Sequence, residues 1–109
     1  MQPVTTYKLS YDIVKRVNGQ LRVIGSNYVK ASSLEKLQEE VVKKCKSMDE
    51  VNAHKDLLHA SPNFYAFDKL EKIIQVQEEF GVEMLLNGLL VSESHRTATD
   101  EMRQKTKQQ

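Results

Sequence analysis

A chain of 109 residues with 39% apolar and 28% charged side chains has room for one domain with a modest core, and neither figure fits wholesale disorder. It contains no run of the ~18 apolar residues that a membrane-spanning helix needs, so no membrane partner is expected. The net charge is only +1, but it is unevenly placed: residues 5–30 carry five bases against Asp12, and residues 31–92 carry seven lysines against eleven acids.

The opening MQPVTTYKLS lacks a basic start followed by an apolar stretch, so export is not expected and a cytoplasmic location is. Tyr7, Leu9, Tyr11 and Ile13 then alternate with Lys8, Ser10 and Asp12, the period-two pattern of a half-buried strand. Asn18-Gly19 follows, a pair suited to the two positive φ angles of a type I′ hairpin turn. A two-residue turn pairs Val17 with Gln20, Lys15 with Arg22, Ile13 with Ile24, Tyr11 with Ser26 and Leu9 with Tyr28. That register puts Tyr7, Leu9, Tyr11, Ile13, Ile24 and Tyr28 on one face, predicted to lie on helices. Gly25-Ser26-Asn27 interrupts the second strand, either as a bulge or as a turn into a short third strand at Tyr28 to Lys30.

Ser32 to Glu35 has the Ser-x-x-Glu form of a capping box, and Leu34, Leu37, Val41, Cys45 and Met48 follow at helical spacing, which predicts a helix over 34–47. Cys45 is the single cysteine, so no internal disulfide or thiolate metal cage can form, and its place on this apolar face reads as a buried structural thiol. Ser47 to Glu50 repeats the box. This gives a second helix over 48–59 with Val51, His54 and Leu58 inward, or one long helix.

Ser61-Pro62 supplies a cap followed by proline at a first helical position, and Phe64, Phe67, Leu70, Ile73, Ile74 and Phe80 recur at helical spacing, predicting a core helix over 62–80. Past Gly81, the run Val82 to Val91 fits a short helix over 82–88, or a second hairpin closed by Asn87-Gly88; leucine and methionine favour the helix. Residues 94–109 hold only Ala98 and Met102 as apolar side chains and read as a mobile polar tail. The expected fold is therefore α+β over residues 1–93. It has an N-terminal antiparallel β-hairpin over 6–30, packed on three to four α-helices, with the tail beyond.

The sequence holds no Gly-rich phosphate loop, no His-Glu-x-x-His, no Cys-x-x-Cys and no EF-hand pattern. His54 and His59 are five apart, about 140° around a helix, and so do not share a metal-binding face. Glu78, Glu79 and Glu83 read as a solvated acidic face. No catalytic, cofactor-binding or metal-binding residue is assigned, and a non-enzymatic protein is expected.

Two functional readings remain. The first is a protein-interaction module, an adaptor, inhibitor or assembly factor. It would use the unpaired hairpin edge, extended by a second copy or a partner strand, and an apolar surface at Val82, Leu85, Leu86, Leu89 and Leu90. The second is a nucleic-acid-binding accessory protein, with Lys15, Arg16 and Arg22 at the hairpin tip contacting phosphate. The order strand, Asn-Gly turn, strand and capped helix over Tyr7 to Cys45 is similar to the arm-binding domains of phage-type integrases, a resemblance that implies nucleic-acid contact by the hairpin. The net charge of +1 and the acidic remainder weigh against strong non-specific binding, which scales with the phosphates neutralised.

Overall fold

Two long strands, β1 (Thr6–Val17) and β2 (Gln20–Ala31), meet at Asn18 (φ 52°) and Gly19 (φ 79°), the two left-handed residues that the turn requires. The structure, a computed structural model, describes residues 4–74, 77–86 and 91–107. The expected register holds from Val17↔Gln20 to Val14↔Val23 and then shifts, so that Ile13 faces Gly25 and Leu9 faces Val29. Ile24 is the extra residue of a bulge. Because a bulge inverts the alternation beyond it, Val29 turns into the core, while Ile24 and Tyr28, expected on the inner face, are 55% and 48% exposed.

The largest correction concerns residues 62–80, whose described residues form no helix. They supply β3 (Asn63–Ile73), antiparallel to β1, and the short β4 (Gln77–Phe80), giving a four-stranded sheet in the order β2-β1-β3-β4. Phe64 and Ala66 pack on one face of β3 and Tyr65 and Phe67 on the other, so a strand covered on both sides shows no alternation. Beyond them the register shifts from Tyr11↔Phe67 to Ser10↔Lys69, leaving Asp68 as a second bulge. The added residue lengthens one two-residue step to three, so Phe67 and Leu70 share a face three residues apart and imitate helical spacing.

Ala31 leads through Ser32 and Ser33 into α1 (Leu34–Leu57), one unbroken helix of 24 residues where 34–47 and 48–59 were also readable as two. The cap is Ser33, whose hydroxyl accepts from the Lys36 N–H at 3.2 Å, one position later than the expected box. Leu37, Val41 and Cys45 bury against Leu9, Tyr11, Val29 and Phe67. The last turns of α1 run past this core, and Val51, His54 and Leu58, expected inward, are exposed. The helix ends in a Schellman arrangement: His59 takes φ 56°, its N–H bonds Asp56 O, and the Ala60 N–H bonds Lys55 O at 2.7 Å.

Helix α2 (Val82–Leu86) agrees with the helical reading of this segment as far as it is described, and it buries Val82, Leu85 and Leu86 in the same core. Asn87 and Gly88, and with them any hairpin there, lie outside the described residues. The expected mobile tail is corrected to α3 (Glu93–Lys107), whose Ala98 and Met102 close a second core with Val14, Leu21, Phe64 and Ala66. The sheet thus lies between α1 with α2 on one face and α3 on the other. The class is α+β, with three helices among the described residues.

Candidate interaction edge

The two long strands with an unpaired side, β3 and β2, are finished in different ways. Over 63–68 the outer side of β3 extends beyond β4, and side chains from two helices take its backbone groups. Asn52 of α1 makes a two-bond clasp, its Nδ2 donating to Asn63 O at 2.7 Å and its Oδ1 accepting from the Asn63 N–H at 3.0 Å. His95 Nδ1 accepts the Tyr65 N–H at 3.0 Å, Thr99 Oγ1 accepts the Phe67 N–H at 3.1 Å, and Arg103 Nη1 donates to Asp68 O at 3.2 Å. His95, Thr99 and Arg103 are four residues apart, one stripe of α3. The helix therefore stands in for a neighbouring strand.

The His95 bonds also define its chemistry. Since Nδ1 accepts, the ring proton sits on Nε2 and is donated to Asp49 Oδ1 at 2.9 Å; the same oxygen accepts from Ser92 Oγ at 3.2 Å. Burial pushes the His95 pKa below its ordinary value, outweighing the opposing pull of the Asp49 carboxylate. Ser, His and Asp come together here as in a nucleophilic triad, but the imidazole is fully buried and both nitrogens are committed, so it has no free nitrogen to act as a base. Cys45, in the same core, has its thiol pushed up to about 12 by burial and then by the Asp49 charge, which leaves it protonated and unreactive. Among the described residues no group of three or more His, Cys, Asp or Glu could hold a metal ion.

Along β2, by contrast, no described strand pairs on the outer side. Since the amides of Asn63, Tyr65 and Phe67 point away from β1, their partners Lys15, Ile13 and Tyr11 turn their own backbone bonds toward β2. The alternation then leaves Ser26, Tyr28 and Lys30 facing outward, and the Tyr28 N–H duly bonds only a local acceptor, Asn27 Oδ1 at 2.9 Å. The Tyr28 ring lies on the α3 side of the sheet, the face that also carries Lys8 and Val14, with Lys8 Nζ 4.7 Å and Lys30 Nζ 5.1 Å from its centroid. On the same face Ser26 Oγ donates to Asp12 Oδ1 at 2.7 Å.

The three basic residues expected to act together at the hairpin tip are divided. Lys15 and Arg22 are cross-strand partners on the α1 side of the sheet, as the register predicts. Arg16 points to the opposite side, where it pairs with Glu101 of α3 at 3.1 Å and donates to Gly19 O. The expected apolar surface is likewise corrected: Val82, Leu85 and Leu86 are core residues, and Leu89 and Leu90 lie outside the described residues. Beside α2 and α3 is an open groove of about 550 Å³, where Glu83 and Arg103 pair at 2.6 Å.

The β3 closure was not foreseen, because His95 and Thr99 look like polar tail residues. Their signal was the spacing of His95, Ala98, Thr99 and Met102 at three and four, a stripe in which two members are polar. No helix among the described residues is long and apolar enough to cross a membrane. No family model, curated protein or solved structure matches the chain.

Proposed function

We infer that this chain is a non-enzymatic protein-interaction module that receives an extended segment of a partner along the outer side of β2. The observation that carries this reading is the unequal finishing of the sheet: α1 and α3 spend four side chains on the backbone groups of β3 that no strand pairs, whereas β2 receives Lys105 at Leu21 O and keeps Ser26, Tyr28 and Lys30 turned outward in a strand of 12 residues. Strand addition there supplies main-chain hydrogen bonds for affinity and alternating side-chain contacts for selectivity.

A random peptide library displayed against the full chain tests this. Proline at an outward-facing edge position removes a donor without breaking the ladder to β1, so selected peptides are expected to bind the wild-type chain, to bind Tyr28→Ala more weakly because only the ring is lost, and not to bind Tyr28→Pro. Binding that survives Tyr28→Pro would place the contact elsewhere. The nucleic-acid reading has less support from the arrangement of charge, because Arg16 is already engaged by Glu101 and faces away from Lys15 and Arg22.

A further inference from the structure

We propose, resting on that reading, that the segment added to β2 is an acidic extended peptide, with one carboxylate beside Lys30 and Lys8 and a second beside Arg22 and Lys15. The β1–β2 ribbon holds five bases, Lys8, Lys15, Arg16, Arg22 and Lys30, and Asp12 as its one acid. Arg16 is neutralised by Glu101 and Lys8 faces Glu71 of β3 across the ladder, so the charge left to a newcomer is chiefly that of Lys30, in the pair Lys8↔Lys30, and of the pair Lys15↔Arg22. Lys15↔Arg22 is a like-charge pair with the neutral Asn63 beyond it, an arrangement that costs stability in the free chain. In the other row Glu71 already faces Lys8, and Lys30 is the base next to the open edge. A third strand relieves the first row and completes the second by bringing a carboxylate beside each.

The rows also fix spacing. Lys8 and Lys15 are seven residues apart on β1, an odd number, so the two rows lie on opposite faces of the sheet. β2 takes eight residues over the same distance because of the Ile24 bulge. A newcomer that runs straight, as β1 does, meets the rows with acids at positions i and i+7. Between them, the position beside Tyr28 faces an exposed ring and suits an apolar or aromatic side chain. A second copy of this chain is the poorer occupant: β2 has Arg22 and Lys30 and no acid, so two copies edge to edge bring bases to bases.

The test uses the full chain and the same displayed library. Peptides selected on the wild type are expected to be enriched in Asp and Glu seven residues apart, and to lose affinity about tenfold on an Arg22→Glu/Lys30→Glu chain, which should instead select Lys and Arg at those positions. Peptides that are blocked by Tyr28→Pro but carry no charge preference would overturn the acidic class and leave the edge reading standing. Selection of no peptide sensitive to Tyr28→Pro would overturn both. A dimer by sedimentation whose contact is lost in Tyr28→Pro would replace the acidic peptide with a second copy, and tight binding of a single-stranded oligonucleotide dependent on Lys30 would replace it with nucleic acid.

Discussion

The outer sides of β3 and β2 belong to one sheet and have similar backbone chemistry, yet one is sealed by buried side chains and the other only by Lys105 Nζ on Leu21 O near the hairpin turn and by the exposed Asn27 amide at Tyr28. Burial is the difference. The Tyr65 and Phe67 amides lie under α3 with no water to bond, so each needs a protein acceptor. The Tyr28 amide is at the surface, and water can replace Asn27 at little cost. A sheet can therefore leave one edge available only where the strand is solvated, and must close the other wherever a helix covers it.

The sharpest way to break the contrast is to reopen β3. His95→Ala removes the acceptor of a buried N–H, frees Asp49 and leaves a cavity in a fully buried site, with an expected loss of about 3 kcal/mol in urea denaturation. In the wild-type chain, amide exchange should be slow at Tyr65 and Phe67 and fast at Tyr28; in His95→Ala the Tyr65 amide should approach Tyr28. A slow Tyr28 amide in the free wild-type chain would mean that the β2 edge is covered after all. Thr99→Val is the gentler form. It keeps the shape and leaves the Phe67 N–H unpaired, for an expected loss of about 2 kcal/mol.

This contrast also separates what could be read in the sequence from what could not. The Asn18-Gly19 turn, the first half of the hairpin register and the apolar stripe of α1 follow from local rules, and they stand as expected. β3 was misread because Asp68 makes Phe67 and Leu70 fall three apart on one face, a helical step produced by a bulge. α3 was missed because its inner stripe is chosen to satisfy strand amides. His95 and Thr99 are polar for a reason that lies 30 and 32 residues away in the chain. At β2, a bulge is readable at Gly25-Ser26-Asn27 but falls at Ile24, just before them, and its position decides which of Asn27 and Tyr28 faces out, so the edge could be anticipated but its contact residues could not.

Acidification should act on the same closure, less completely than deletion. His95 has its pKa depressed in the folded chain below the ordinary 6.5, chiefly by burial, with Asp49 pulling the other way. The unfolded state thus binds the extra proton first. The His95 contribution to stability is fully present above about pH 6.5 and is lost as the pH falls toward the folded value, where a protonated Nδ1 would meet the Tyr65 N–H donor to donor. Denaturation midpoints followed downward from pH 7.5 should fall in the wild type, and the part of that fall due to His95 should vanish in His95→Ala. An equal slope in both would remove His95 as the titrating group.

The smallest expected effect on stability lies at the open edge, and it reads the contrast from the other side. Asn27 Oδ1 occupies the Tyr28 N–H in the free chain, so any incoming strand must first displace it. The bond is exposed and local, worth about 0.5 kcal/mol net, so Asn27→Ala should leave the denaturation midpoint almost unchanged. The same energy no longer opposes strand addition, and peptides selected on β2 should bind the variant about twofold more tightly. On the sealed side the equivalent change, loss of a side-chain acceptor for a strand amide, destabilises the fold. An Asn27→Ala chain that is markedly less stable, or that binds such peptides more weakly, would show that the Asn27 amide is part of the closure and that both edges of the sheet are finished alike.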